Sequence, residues 1–369
     1  MHFYVAQDQL AKALSGISRI IMPQNNKPIL AGIQLEAYDQ SLLLTATDLF
    51  TTLKSEISVE VKTPGEVVLP ASLLSDLVQR IPTATIEIET DGATGKTAIK
   101  YGRNRTFLHG VSTERLPEFP GLEGTRETIQ IGPGLLPRLS RQLLFACAKD
   151  ETRPILKGVS VQLNSGRLMW AATDGSRLSY TWIPVPEFRG DSRDCVVPAK
   201  MLAESARLNT TEEAQVTIAS NIIEIRTPSS VIMSRLLDGQ YPEYQRVIPQ
   251  DYVVQGRIQV SELRGALERA NLLAVRDRVS SVRIRHQVGQ LEISASAAEF
   301  GQAFESLDFD SHGPDLDLLF NPHYFLDALK SLEGDEAILE FSGLQSPVRV
   351  RDTENAQYSH IILPLRQLV

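Results

Sequence analysis

The chain repeats itself. Pro28-Ile29-Leu30-Ala31-Gly32-Ile33 returns as Pro154-Ile155-Leu156-Lys157-Gly158-Val159, 126 positions on, and Thr45-Ala46-Thr47-Asp48 returns as Ala171-Ala172-Thr173-Asp174 at the same offset. Pro117-Glu118-Phe119 returns as Pro242-Glu243-Tyr244 at an offset of 125. Three matches in one order at one spacing mark a duplication, and a long period constrains the fold more than any local signal does. A third copy is carried by pattern. Leu69-Pro70, Val197-Pro198 and Asn321-Pro322 each open an apolar helical stretch, and each stretch is followed by a strand-like run: Ile86-Glu87-Ile88-Glu89, Val216-Thr217-Ile218 and Ala337-Ile338-Leu339-Glu340-Phe341. The 369 residues exceed the roughly 250 that one core usually supports. Three similar domains are expected, 1–124, 125–250 and 251–369, joined by the Pro/Glu/aromatic stretches 116–127 and 241–252.

Within each repeat two helix candidates stand among many alternating strands. Ile57-Ser58-Val59-Glu60-Val61 and Val282-Arg283-Ile284-Arg285 alternate with period two, as half-buried antiparallel strands do. Asp91-Gly92, Asn164-Ser165-Gly166 and Asp238-Gly239 supply turns. The fold class read from this pattern is α+β, with antiparallel sheet and two helices per domain packed on one side of it.

Charge separates by element. The formal net charge is −8, which taken alone argues against a nucleic-acid partner. The six helix candidates, 7–21, 71–81, 133–149, 198–208, 261–278 and 322–332, hold 13 Lys+Arg against 7 Asp+Glu. That is +6 on the helices, leaving −14 on everything else. On a helical wheel Leu10, Leu14, Ile17 and Ile21 fall within about 60°, with Lys12 and Arg19 opposite. Leu136, Leu139, Leu143 and Cys147 make a buried stripe in the third candidate, with Arg138, Arg141 and Lys149 on the other side. Solvated helices carry such residues for solubility too. A basic surface repeated over several domains, however, suits a long regular polyanion held by its phosphates without reading bases.

Catalytic constellations are missing. Gly95-Lys96-Thr97 resembles the end of a phosphate-binding loop, but Thr90 stands where that loop has its first glycine and no helix follows, so it reads as a hairpin turn. The six histidines show no metal-ligand spacing, and no G-x-S-x-G elbow occurs. Cys147 and Cys195 match neither a redox pair nor a zinc set, so neither metal nor cofactor is expected. Asp48 and Asp174 are open to use as a carboxylate pair, although a residue duplicated at a strand end more commonly fixes a turn by Asx-type hydrogen bonds. With no apolar run of membrane length and no signal-like start, a cytoplasmic protein without a membrane partner is expected.

The blocks Leu44-Thr45-Ala46-Thr47-Asp48, Ala172-Thr173-Asp174-Gly175-Ser176-Arg177-Leu178, Leu237-Asp238-Gly239-Gln240-Tyr241-Pro242 and Leu363-Pro364-Leu365-Arg366, in this order over essentially the whole chain, resemble the bacterial beta sliding clamps. The resemblance implies a non-catalytic processivity factor. Two three-domain protomers would join head to tail as a homodimeric ring lined by helices, at the nucleoid, around duplex DNA bound without sequence preference. It further implies partners that dock through short apolar motifs: the replicative polymerase's catalytic subunit, the clamp loader, other polymerases and repair proteins.

By that resemblance the DNA-facing candidates are Lys12, Lys27, Arg80, Arg138, Arg141, Lys149, Lys200 and Arg207. Family members often carry a basic residue where this chain has Gln24 and aromatic residues at Pro154 and Ile155, so Lys27 and Lys149 are expected to compensate. The implied peptide pocket, between the second and third domains, comprises Arg153, Leu156, Thr173, Gly175, Arg177, Leu178, Pro242, Arg246, Val247, Ser346, Ile361, Leu363, Pro364, Leu365 and Arg366. Its apolar residues would form the groove and its arginines would hold polar or carboxylate groups at the edge. Read without the family, Leu156, Leu178 and Val247 are ordinary core. Ser176 departs from the histidine of some relatives, and three residues extend past Arg366. Two other readings stay open: a monomeric peptide-binding adaptor, and a hydrolase using Asp48 and Asp174.

Overall fold

Strand alternation is realised as antiparallel sheet throughout the computed structural model, which describes every residue except 22–26, 83–84, 112–113, 165, 187, 209–212, 277–279 and 366–369. All strand pairings among the described residues are antiparallel. Three domains of antiparallel sheet with few helices result, and tertiary contacts gather the chain into two compact units.

The first unit, residues 1–137 and 200–236, holds two sheets. One runs Glu60–Thr63, His2–Ala6, Thr85–Thr90, Lys96–Tyr101, Asn104–His109 in spatial order. The other runs Glu127–Ile131, Ala214–Ile218, Ile222–Arg226, Ser230–Arg235, Thr51–Ser58, Ser41–Thr47, Gly32–Tyr38, Gly65–Pro70. The join between the first and second repeats is therefore a continuous ladder, Ser230–Arg235 against Thr51–Ser58.

The second unit, residues 138–199 and 237–369, is built on one twelve-stranded sheet. Its join between repeats is Arg177–Val185 against Ser359–Ile362, with Leu178 opposite Ile361. Its main core includes Leu263, Leu267, Phe309, Phe325 and Phe341, each with 0–1% exposure. Each such side chain contributes about 1.5–3 kcal/mol relative to exposure.

The described residues contain six α-helices: α1 (Gln7–Ile17), α2 (Ala71–Arg80), α3 (Leu135–Leu143), α4 (Ala199–Ser205), α5 (Val260–Ala274) and α6 (Pro322–Ser331). α1 buries Leu10, Ala13, Leu14 and Ile17, an i, i+3, i+4, i+7 stripe. Pro322 sits in the first turn of α6, where its missing N–H costs nothing, and the Asn321 side chain caps the His323 amide at 3.0 Å.

Four helices are shorter by three residues or more than the sequence pattern predicts, among them α5, which ends at Ala274 rather than at 278. α1 gives way to a 3-10 turn at Ser18–Ile20, so Ile21 leaves the stripe in an extended conformation. α3 starts after Gly134, whose φ of +74° is outside helical space, and stops at Leu143, followed by a 3-10 turn at Leu144–Ala146. The Ala148 amide there donates to the Leu156 carbonyl at 2.9 Å, a tertiary bond that helical geometry would forbid. α4 ends at Ser205 rather than at 208. No helix among the described residues is long and apolar enough to cross a membrane.

Candidate nucleic-acid interface and partner surface

The duplicated aspartates are turn residues. Asp48 Oδ1 accepts from the amides of Phe50 and Thr51 at 3.0 and 2.7 Å, and Asp174 Oδ1 accepts from those of Ser176 and Arg177 at 2.9 and 3.1 Å. Both second oxygens take a cation, Lys200 Nζ at 2.7 Å for Asp48 and Arg177 Nε at 3.0 Å for Asp174. Carboxylates saturated in this way are poorly disposed to act as a general base. Among the described residues no group of His, Cys, Asp and Glu is placed to hold a metal ion. Burial pushes both thiols, Cys147 and Cys195, up to about 12, so they are protonated at neutral pH.

The basic candidates divide by what already holds them. Lys12 is exposed on α1, Arg138 is half-buried on α3, and Lys149 is exposed beyond the 3-10 turn rather than on the helix. None of these three has an ion-pair partner among the described residues. Arg80 pairs with Asp76 at 3.5 Å, Arg207 with Glu204 at 2.5 Å and Arg141 with Glu333 at 2.9 Å, each arginine about half or more exposed. An exposed pair such as Arg80–Asp76 is worth about 0–1 kcal/mol, so a phosphate can displace that carboxylate, whereas Glu333 and Glu204 are only 29% and 11% exposed and hold their arginines in a less solvated setting.

Lys200 differs, since its partner Asp48 is 5% exposed and its Nζ also donates to the Ile20 carbonyl at 3.4 Å. Lys27 is exposed at the start of a 3-10 turn, Pro28–Ala31. In the first unit Lys12, Arg19 and Arg207 line a groove of about 970 Å³ together with Leu53, Ile57, Glu56, Glu204 and several serines, so basic, acidic, neutral polar and apolar groups share it.

The pocket candidates lie in the second unit around a small apolar cluster. Leu178 and Ile361, paired across the sheet, pack with Ala171 and Tyr244, and Tyr180, Tyr241 and Ile248 cover them. Leu156 and Leu178 are 1% and 2% exposed, whereas Val247 is 48% exposed and so is not core. The Thr173 hydroxyl donates to the Arg177 carbonyl at 2.6 Å and accepts from the Gly175 amide at 3.0 Å, closing the turn. The Leu363 amide donates to the Ser176 carbonyl at 3.0 Å, which lays Leu363 beside the turn, and the Leu365 amide donates to the Leu319 carbonyl at 2.7 Å, which ties Leu365 to the strand Leu316–Phe320.

The Tyr244 amide donates to the Pro242 carbonyl at 2.7 Å, and the Ser346 amide to the Gly343 carbonyl at 3.3 Å. Arg153 and Arg246 are exposed, the latter paired with Glu243 at 2.5 Å. Arg366 lies outside the described residues, as does Gln24.

Arg177 is not an open guanidinium at an edge. Its side chain is 7% exposed and is held by Asp174, by Asp327 Oδ2 at 2.7 Å and by the Phe145 carbonyl, with the Tyr324 ring centroid 4.6 Å away. The sequence reading missed these partners, which are far away in the chain and carry no motif. It also missed the aromatic cover. Tyr241 and Tyr244 were visible only as letters of a repeated block, yet the Tyr241 hydroxyl accepts from the Thr173 amide at 3.1 Å. Burial pushes the Tyr241 phenol above its ordinary range and that of Tyr244 up to about 12, so both stay neutral donors.

Comparison with known proteins covers the whole chain. Family models described as the N-terminal, central and C-terminal domains of the DNA polymerase III beta subunit match residues 1–120, 130–243 and 245–366 in that order. The beta sliding clamp of Bacillus subtilis is 32% identical over 99% of this chain and 100% of the relative. That of Staphylococcus aureus is 28% identical over 99% of both. Among solved structures, the DNA polymerase sliding clamp from Bacillus subtilis superposes with a TM-score of 0.94 at 31% identity, covering 100% of this chain and 99% of that one. The sliding clamp (DNA polymerase III subunit beta) from Pseudomonas aeruginosa bound to griselimycin also superposes at 0.94, with 27% identity and 99% of both chains covered.

Proposed function

The chain belongs to the DNA polymerase III beta subunits, the beta sliding clamps, and from that membership we propose that two copies close head to tail into a ring around duplex DNA and tether the replicative polymerase. The chain would act without catalysis of its own, in the cytoplasm at the nucleoid, with domains 1–124, 125–250 and 251–369. The leading support is the ordered likeness of all three domains to clamp domains.

Among the described residues, two strand edges that carry exposed aromatic side chains support self-assembly. Asn104–His109 is the last strand of its sheet and presents Phe107, 44% exposed. Residues 301–309 bond to Gly289–Ala297 on one side, while only 310–312 of the same strand reach 255–257 on the other, and Phe304 there is 68% exposed. Unpaired edges with exposed aromatic residues are costly unless covered, and two different edges on one chain suit a heterologous contact that closes by rotation.

Inside such a ring, Lys12, Arg138 and Lys149, with Arg80, Arg141 and Arg207 released from their carboxylates, would meet phosphates. Retention by topology needs only weak, partly water-mediated contacts, which leaves the ring free to slide. The region around the buried Leu178–Ile361–Tyr244 cluster, where Val247 and Leu363 are 48% and 37% exposed, would with Arg153 and Arg246 receive short apolar motifs of the polymerase's catalytic subunit, the clamp loader, other polymerases and repair proteins.

Light scattering across micromolar to nanomolar protein tests the assembly. A mass of about 82 kDa, twice the 40.8 kDa chain, that persists on dilution is expected. A monomer at micromolar concentration would favour the adaptor reading instead.

A further inference from the structure

The two copies of the Ala-Thr-Asp turn use their aspartates alike, one oxygen for the turn's amides and the other for a cation. In the first copy the cation comes from α4. In the second it is Arg177 of the turn itself, and Arg177 passes the tie on to α6 through Asp327.

The turn in turn sets a residue that faces solvent. Arg153 Nη2 donates to the Asp174 carbonyl at 3.1 Å. The guanidinium fills the place a Cβ would take on residue 175, which would lie 2.9 Å from both Nη atoms, and Gly175 itself has φ +93°. A continuous relay of charge-assisted bonds therefore runs Asp327–Arg177–Asp174–Arg153, from a helix to the exposed rim of the apolar surface. Both carboxylates in it are less exposed than the rim, at 19% and 34%, and Arg177 is 7% exposed, so the inner part is weakly screened. Arg153 spends one of its N–H donors inside the protein and keeps the others for a ligand.

Resting on the reading that this surface receives partner peptides, we propose that Asp327 is a positioning residue: by holding Arg177 it fixes the Asp174 turn and aims Arg153 at an acidic side chain of a docked, otherwise apolar peptide. Asp327 sets preference for the acid rather than apolar affinity, because among the described residues its side-chain hydrogen bond goes to Arg177.

The test uses the full chain, fluorescence anisotropy and two labelled pentapeptides. Each carries two leucines and a phenylalanine; one has an aspartate where its twin has asparagine. The unmodified protein is expected to prefer the aspartate peptide by about tenfold, the size of one charge-assisted bond. Asp327→Asn is expected to remove most of that preference while leaving the asparagine twin within about twofold, and Asp327→Glu to keep most of it. In an Arg153→Ala background, Asp327→Asn should add nothing further, the mark of coupling between the two.

A merely structural role would weaken both peptides equally, and that result, or an undiminished preference in Asp327→Asn, overturns the inference. Equal binding of both peptides by the unmodified protein does so too, leaving the peptide surface standing. Binding of neither peptide counts against the peptide surface itself.

Discussion

Lys200 Nζ lies 2.7 Å from Asp48 Oδ2, an oxygen on a side chain only 5% exposed whose other oxygen caps its own turn. A basic residue of α4 is thereby committed to the preceding repeat. Removing the lysine strands a nearly buried carboxylate. Lys200→Ala is expected to lower stability by about 1–2 kcal/mol in chemical denaturation, discounted because the lysine is 39% exposed. Its effect on DNA should be small. Loss of DNA retention with unchanged stability would show that Lys200 faces phosphate after all.

Lys12, Arg138 and Lys149 give the opposite pattern, having no ion-pair partner among the described residues. Alanine at each is expected to leave thermal unfolding unchanged. Each phosphate left without its cation should reduce the slope of log affinity against log salt by about 0.9. Binding to short duplexes at several salt concentrations provides the check, with Arg141→Ala as an intermediate case because Glu333 competes for it.

Gly175→Ala is expected to cost partner binding more than it costs folding. A side chain at φ +93° is strained, and its Cβ would press on the Arg153 guanidinium. The arginine, at the rim, moves more readily than the backbone. A stability loss of about 1–2 kcal/mol should accompany at least a severalfold loss of affinity for the aspartate peptide. An Arg153→Ala background should keep the stability loss and remove the binding loss.

His360 has no exposed surface, and both ring nitrogens lack a hydrogen-bond partner among the described residues. Burial, with Arg177 nearby adding to it, holds its pKa down to about 3 from an ordinary 6.5. Above pH 6.5 the imidazole is neutral in both folded and unfolded chains, and its contribution to stability is fully present. As pH falls toward 3 the unfolded chain takes up a proton that the folded one refuses. Stability should then drop by up to about 1.4 kcal/mol per pH unit from this residue. His360→Phe, which keeps the ring against Phe145, should show a shallower decline between pH 6 and 4 by about one proton's worth. Parallel curves for the two proteins would mean that His360 is protonated in the folded state.

The repeat, the antiparallel strands and the six helices were legible in the amino-acid order because they rest on local periodicity. Helix ends were less so. Leu143, Leu144, Ala146 and Cys147 suit burial in helix, 3-10 turn or strand alike, and the bond from the Ala148 amide to the Leu156 carbonyl, which is incompatible with a helix continued to 149, leaves no local signal. The turn role of Asp48 and Asp174 could be read because Asx bonds reach only two or three residues. Their cations could not be assigned in the same way. Asp48 meets Lys200 across 152 positions and Arg177 meets Asp327 across 150, distances at which no spacing rule operates. For the same reason the resemblance grouped Lys200 with Lys12 as DNA-facing, and Arg177 with Arg153 as an arginine of the pocket edge.

Retention on closed DNA tests the central claim most directly. Clamp loaded by its loader onto nicked circular duplex, then washed at high salt, should remain bound, and should be released within minutes once a single restriction cut linearises the circle. Equal loss from circular and linear DNA, tracking salt alone, would contradict encirclement.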